Sequence, residues 1–524
     1  MSFLLGVACL VCRALAGDFS TVPGTGFFVD GDGVQRLFRG VNLVRKERGA
    51  WQVTHEELNV MQKLGLNVVR YGVIWSNVEE APGVYNDTYL KEVRGQIELL
   101  YSHGIYSFLE MHQDLLSPFF CAGQDGSPFF YNTPPNSSEY LKGGSKAYPM
   151  PFAKPEYIEG PSAEAYGPWG QPKCGRLSQW GESYATYASC STWQAFYDNV
   201  DGVQDKFAAA WSAVASAVAQ DNPGVMGIEI LNEPWVGDIY ADPLLLVGGK
   251  ADRQNLVPLY DRVQKALREV VPEVPIMFEP ITGGSIMDRE VGFTQDTAPG
   301  GPAMKRKNAF TFHLYCPLIQ SDVPLPSSGK LIKRIELAVC NKFDQLNLDT
   351  RGRQSQMLGA GSFLSEYGSI PATSEATNMM SRLLSVADSN MMSWTFWEMG
   401  MLKRAPDWIQ NSLDRSYPAV VPGRVVRFTT EMNITVAGTT LNSFHVEFVA
   451  SDSREAKIQL ARSAFPLSSR RVSFKIVPES ATFRLNSTSN AIFIASAPTT
   501  TVVMEAVYQH EEVNYLKHLN AIQI

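Results

Sequence analysis

Two hydrophobic periods divide this chain. Between about residues 37 and 398, short apolar runs alternate with stretches of helical spacing. Leu37–Val44, Leu66–Trp75, Ile105–His112, Val225–Leu231, Val274–Glu279, Asn308–Tyr315, Gly361–Gly368 and Met391–Glu398 read as eight buried strands. Helices are predicted near 54–64, 89–103, 196–220, 256–270, 331–346 and 376–387. Thr54, followed three residues later by Glu57, is a capping box, and Gly65 closes that helix. Phe207, Trp211, Val214 and Val218 share one helical face, which reads as core packing. Strands alternating with helices predict an α/β fold, a (β/α)8 TIM barrel with a parallel sheet.

From about Val425 the period becomes two. Short alternating runs, such as Phe444–Val449, Val472–Val477 and Thr501–Glu505, with no helices between them, predict a C-terminal β-sandwich domain. The expected organisation is a signal peptide at 1–16, a catalytic barrel at 17–415 and the sandwich at 416–524. Gly26–Gly33 reads as a short strand with a tight turn. Residues 117–195 break the barrel's rhythm with many Pro, Gly and aromatic residues, and read as a functional insertion.

The 524 residues suffice for a barrel of about 250 residues plus a second domain. A net charge of −8 with no long basic run argues against a nucleic-acid partner. The apolar run Phe3–Cys12 is too short to span a bilayer, and Ala14-Leu-Ala16 suits signal-peptide cleavage; the alternative is a membrane anchor. Cys9 and Cys12 would leave with that peptide, so their C-x-x-C spacing is given no redox or metal role. The five remaining cysteines suggest pairing of Cys174 with Cys190 and of Cys316 with Cys340, with one left over. Sequons at Asn86, Asn136, Asn433 and Asn486 add to the expectation of a secreted protein, or one in the secretory or lysosomal lumen.

Candidate chemistry gathers at strand ends. Gly227-Ile-Glu-Ile-Leu-Asn-Glu-Pro234 ends in Asn232 and Glu233, and Gly361-Ser-Phe-Leu-Ser-Glu-Tyr-Gly368 ends near Glu366. α/β barrels keep their chemistry at the carboxyl ends of strands, and two carboxylates there suit glycoside hydrolysis. Glu233 suits the general acid, and like charge from Glu366 is expected to raise its pKa. Glu366 suits the nucleophile, with Arg70 to keep it ionised and Tyr315 to donate to it. The amide of Asn232 suits a sugar 2-hydroxyl, His112 and His313 suit a sugar or the carboxylates, and Trp397 offers an apolar face to a sugar ring. Glu279 and Glu398 also end strands and are read as supporting groups. No cofactor or metal is expected, because His112 and Asp114 have no third ligand at useful spacing.

Ile230-Leu-Asn-Glu-Pro234 and Phe363-Leu-Ser-Glu-Tyr-Gly368 resemble family-5 glycoside hydrolases. Leu109-Glu-Met-His-Gln-Asp114, Phe196-Tyr-Asp-Asn-Val-Asp-Gly-Val-Gln-Asp205 and Arg415-Ser-Tyr-Pro418 are similar to the endoglycoceramidases within it. The resemblance implies a retaining mechanism with Glu233 as acid/base and Glu366 as nucleophile, cleaving the bond between a glycan and ceramide. It further implies that His112, Asp114, Asn232, Tyr315 and Trp397, with Lys46, contact the first sugar.

A glycosphingolipid substrate also calls for an apolar wall and for transient contact with a membrane or micelle surface. Leu115, Leu116, Phe119, Phe120, Phe129, Phe130 and Tyr131 are candidates for that wall, with Asp238–Val247 as a second. An ordinary cap over the barrel is the competing reading of these aromatics. Two rival functions remain open here: a β-glucosidase for glucosylceramide or steryl glucoside, and a glycolipid-binding protein without catalysis.

Overall fold

Eight parallel strands close on themselves in chain order. They are β4 (Arg39–Leu43), β5 (Val68–Val73), β6 (Tyr106–Met111), β7 (Val225–Glu229), β8 (Ile276–Phe278), β9 (Asn308–Leu314), β10 (Gly361–Tyr367) and β11 (Ser393–Phe396). The computed structural model describes residues 17–114, 116, 184, 187–282, 290–316, 330–369, 374–404, 407–436 and 439–510. Residues 1–16, expected as a signal peptide, most of the long insertion with most of its aromatic residues, and Cys121 and Cys174 lie outside these residues. Among the described residues, no helix is long and apolar enough to cross a membrane.

Alternate residues of a strand face the barrel interior, which fills in layers. The lowest layer is apolar, with Phe38, Val68, Phe108, Met226, Met277, Ala309 and Phe363 in one cluster with Phe19 and Phe28. Two residues further along three of these strands come Arg70, Glu110 and Glu279, so the apolar floor gives way to a charged layer. Phe19 and Phe28 belong to the strands β1 (Phe19–Thr21) and β2 (Phe27–Asp30), which stopper the barrel's amino-terminal end.

Those strands also reach the second domain. β2 pairs with β3 (Gln35–Leu37), and β3 pairs antiparallel with β12 (Tyr417–Val421). The resulting seven-stranded sheet joins both ends of the chain. A four-stranded antiparallel sheet faces it, and Phe27, Leu37, Val421, Phe444, Phe448, Ile458 and Met504 share the core between them.

The capping box forms as read: Thr54 Oγ1 accepts from the Glu57 amide at 3.2 Å, and Glu57 accepts from the Thr54 amide at 2.9 Å. The single helix expected over 196–220 does not form. The chain builds helices Tyr187–Tyr197 and Val203–Val214, separated at Asn199, Asp201 and Gly202. All three have positive φ, of 55°, 55° and 70°, which a right-handed helix cannot contain. The apolar stripe is buried as read, and Trp211 donates to the Ile230 carbonyl at 2.9 Å, just before Asn232.

Cys316 and Cys340 form a disulfide between the end of β9 and helix Lys330–Leu358. Cys190 is a buried free thiol, which corrects its suggested pairing with Cys174. Its sulfur accepts from Trp235 Nε1 and donates to the Tyr184 carbonyl, both at 3.3 Å. Leu116 is also corrected: it is buried in the barrel core and takes no part in an exposed rim.

Candidate active site

The charged layer is organised on Arg70, whose side chain is fully buried. Its Nε donates to Glu229 and its Nη1 to Glu366, both at 2.5 Å. Nη2 donates to Asn232 at 2.9 Å, and Nη1 to Asn42 at 3.2 Å. Glu279 stands 3.4 Å and Glu110 3.7 Å from the same guanidinium. Burial opposes the arginine's charge, but these four carboxylates more than offset it and hold the guanidinium ionised. One cation cannot keep four dry carboxylates ionised. Burial accordingly pushes Glu110 up to about 7 and Glu279 up to about 8.

Glu366 lies near the end of β10. The β9–β10 register slips between Phe312 and His313, so His313 pairs with Glu366 and Ser365 is passed over. Such an irregularity re-aims side chains, and the Glu366 carboxyl beside it meets Arg70, Tyr315 and His313. Tyr315 donates to its second oxygen at 2.8 Å. Burial pushes the Glu366 carboxyl up to about 7, and the charge of Glu233 adds to that rise, against the pull of His313 and Arg70. Burial also holds the Tyr315 hydroxyl well above its usual range, so it stays a donor.

Glu233 sits just past β7 with φ of 41°, a left-handed conformation that costs a non-glycine residue about 1–3 kcal/mol. Gln113 braces this turn: its amide donates to the carbonyls of Asn232 and of Glu233, the latter at 3.2 Å, and its oxygen accepts from the Leu116 amide at 2.6 Å. Asn232 returns a bond to the Gln113 carbonyl at 2.7 Å. Its amide carries a second hydrogen that this bond does not use.

His313 bridges the acids. Nδ1 lies 2.7 Å from Glu233 and 3.4 Å from Glu366, and Nε2 lies 3.2 Å from Glu279. Burial disfavours the imidazolium, but Glu279, Glu366 and Glu233 together raise its pKa well above the usual range. Burial would raise Glu233, yet its short bond to His313, with the charges of His313 and Lys46, holds it below the ordinary carboxylate value. The expected elevation of Glu233 by Glu366 is therefore corrected. In the substrate-free site Glu366 is the raised member of the pair, because His313 stands closer to Glu233.

One oxygen each of Glu233 and Glu366 and a ring nitrogen of His313 lie within 4.8 Å of one another. Their spacing would admit an ion, but a metal needs the lone pair of a neutral imidazole, and this ring is held protonated. The cluster fits a shared proton better than a cation.

A second group flanks this one. His112 donates or accepts at Glu110 across 2.9 Å and stacks on Trp397, with centroids 5.5 Å apart and planes 12° apart. Lys46 pairs with Asp114, and its ammonium lies 5.6 Å from the Trp397 ring centre. Burial first, then Lys46, keeps the His112 pKa well below its usual value, so the ring is neutral. All ten candidate residues thus enter two adjoining networks: Arg70, Asn232, Glu233, His313, Tyr315 and Glu366, and Lys46, His112, Asp114 and Trp397.

Glu398 does not support the site. Its oxygens accept from the amides of Gly400 and Met401 and cap helix Met399–Arg404. Sequence reading missed Glu110, Glu229 and Asn42. Their signal is a polar side chain inside an otherwise apolar strand, as in Gly227-Ile-Glu-Ile230, which demands a buried partner.

A closed (β/α)8 barrel whose carboxyl-terminal mouth presents two carboxylates this close defines a retaining glycoside hydrolase. Residues 181–402 match the cellulase (glycosyl hydrolase family 5) family. The chain is 30% identical over 451 residues to the endoglycoceramidase of Hydra vulgaris, spanning 81% of this chain and 78% of that one. It is 28% identical over 440 residues to the endoglycoceramidase of Cyanea nozakii, spanning 78% of each. The fold superposes with a TM-score of 0.66 on endo-glycoceramidase II from Rhodococcus sp. solved as its lactosyl-enzyme intermediate, at 20% identity, covering 93% of this chain and 100% of that one. The same bacterial enzyme is solved with ganglioside GM3. The chain belongs to glycoside hydrolase family 5, in its endoglycoceramidase branch.

Proposed function

We propose that this protein is a retaining endo-β-glycosidase that hydrolyses the bond between glycan and ceramide in glycosphingolipids. The observation that carries the mechanism is the approach of Glu233 and Glu366 across the mouth, each with its own partners. Carboxyl groups about 5–5.5 Å apart leave no room for a water between the second carboxylate and the sugar, so that carboxylate attacks the anomeric carbon itself. The endoglycoceramidase relatives support the choice of substrate.

In the first step Glu366 attacks the anomeric carbon while the bond to the ceramide oxygen breaks. That oxygen takes a proton from Glu233 and leaves as an alcohol. In the second step Glu233 takes a proton from water, the water oxygen attacks the same carbon, and Glu366 departs as a carboxylate that Arg70 and Tyr315 receive. Two inversions retain the anomeric configuration. Trp397 and His112 would lie along the sugar, with Lys46, Asp114 and Asn232 binding its hydroxyls.

The proposal extends to contact with a lipid surface. Leu244 and Val247, 60% and 57% exposed, lie within and at the end of a short helical turn that follows the Asn232–Pro234 motif, and their exposure supports it. A secretory route is proposed as well, with glycosylation at the sequons, and the Cys316–Cys340 disulfide supports it, since such bonds persist in oxidising compartments.

The test is to offer purified protein gangliosides, glucosylceramide and a steryl glucoside. Release of an intact oligosaccharide with free ceramide is expected. Release of glucose from only the one-sugar lipids would replace this reading with a β-glucosidase. Binding without turnover would make the protein a glycolipid carrier.

A further inference from the structure

Glu279 follows β8, between the strand ends that present Glu233 and His313. Its side chain is 3% exposed and faces Arg70 and His313, and the two-carboxylate reaction leaves it no direct part. It nevertheless faces two cations: Arg70 at 3.4 Å and the Nε2 of His313 at 3.2 Å. The Tyr260 hydroxyl donates to its backbone carbonyl at 2.9 Å and pins the strand end. The other edge of the His313 ring meets Glu233 at 2.7 Å. The imidazole lies between two carboxyl groups, hydrogen-bonded at Nδ1 and in an ion-pair contact at Nε2.

A neutral imidazole carries hydrogen on one nitrogen only, and the partner at the other nitrogen decides which. We infer that Glu279 is a positioning residue for the acid/base step: it keeps a proton on His313 Nε2, so that Nδ1 is the atom that exchanges a proton with Glu233. The inference rests on the glycosidase reading. In the first step the Nδ1 proton passes to Glu233, which delivers it to the leaving oxygen, and an ionised Glu233 and a neutral ring remain, with Nε2–H against Glu279. During hydrolysis the proton that Glu233 removes from water returns to Nδ1. The enzyme ends each cycle in its starting protonation state.

Among the described residues, these groups surround the pair. His313 faces Glu233, Glu279 and Glu366, with the Tyr315 ring at 6.5 Å. Glu279 faces His313 and Arg70 and feels the charge of Glu229. Glu279 is the foremost of the charges that raise His313.

The test pairs a spectroscopic and a kinetic readout. Histidine-labelled, substrate-free protein is titrated by 15N NMR, with the His313 signals assigned by their loss in His313→Gln. The Glu279→Gln variant should lose its second ring proton at least about one pH unit below wild type, and Glu279→Asp should stay near wild type. On an alkyl β-lactoside, the alkaline limb of kcat/KM should move down in Glu279→Gln. On a nitrophenyl β-lactoside, whose leaving group needs no proton, it should not. Equal NMR midpoints in wild type and Glu279→Gln, or an aspartate that shifts as far as the glutamine, overturn the inference. A wild-type protein inert toward both glycosides would sink the glycosidase reading instead.

Discussion

Arg70 donates to Glu366 at 2.5 Å while the same guanidinium donates to Glu229, also at 2.5 Å. One side chain thus aligns the nucleophile and supplies the cation that four buried carboxylates share. Replacing it with methionine strands several buried carboxylates at once, and breaking a buried pair costs about 3–5 kcal/mol. The Arg70→Met variant should unfold at markedly lower urea with unchanged m, and should lack activity. An unfolding midpoint equal to wild type would remove Arg70 from the centre of this layer.

Glu233 and Glu366 should separate kinetically. In Glu233→Gln the first step on a nitrophenyl glycoside survives, because that leaving group needs no proton, while hydrolysis slows by about 10²–10⁴-fold. A burst followed by a slow steady state is expected, with mass spectrometry locating the sugar on Glu366. Sugar found on any other residue would disprove the assignment of the nucleophile.

Tyr315 donates to the ionised form of Glu366 and so lowers its pKa. Glu366 must be a carboxylate to attack, so activity is full above its pKa and falls as pH drops through it. Tyr315→Phe raises that pKa, and the acid limb of kcat/KM should move to higher pH. The rate should fall about 10–100-fold, the range for a hydrogen bond to a charged group. A limb that stays in place or moves down contradicts the role.

The Cys316–Cys340 disulfide starts one residue after Tyr315 and closes a separation of 24 residues. Its removal should cost about 3 kcal/mol and, by loosening the chain beside Tyr315, lower kcat more than it raises KM. Thermal melting and steady-state kinetics of a Cys316→Ser/Cys340→Ser variant check both. Stability lost with kcat intact would confine the bridge to a structural role.

The eight strands, the capping box at Thr54 and Glu57, the change to alternating strands near Val425 and the Asn232–Glu233–Pro234 turn were all legible in the residues. Each depends on neighbours within a few positions, where hydrophobic period and turn chemistry act. The break at Asn199–Gly202 was legible in principle, since Asn, Asp and Gly all accept positive φ, but the apolar stripe beyond it masked the signal. Glu398 looked like Glu233 and Glu366 at a strand end, yet the helix that begins at Met399 takes it as a cap.

Order along the chain therefore dictated the barrel, the sandwich and the two acids. Closure alone settled which charges meet. Arg70 finds Glu229 and Glu366 at separations of 159 and 296 residues, and His313 reaches Glu366 through a register slip between strands. The first β-strands likewise join a sheet built from the other end of the chain. Local pattern says that a buried charge needs a partner. It does not say which, because the low-dielectric interior that makes the pairing obligatory exists only once the strands have closed.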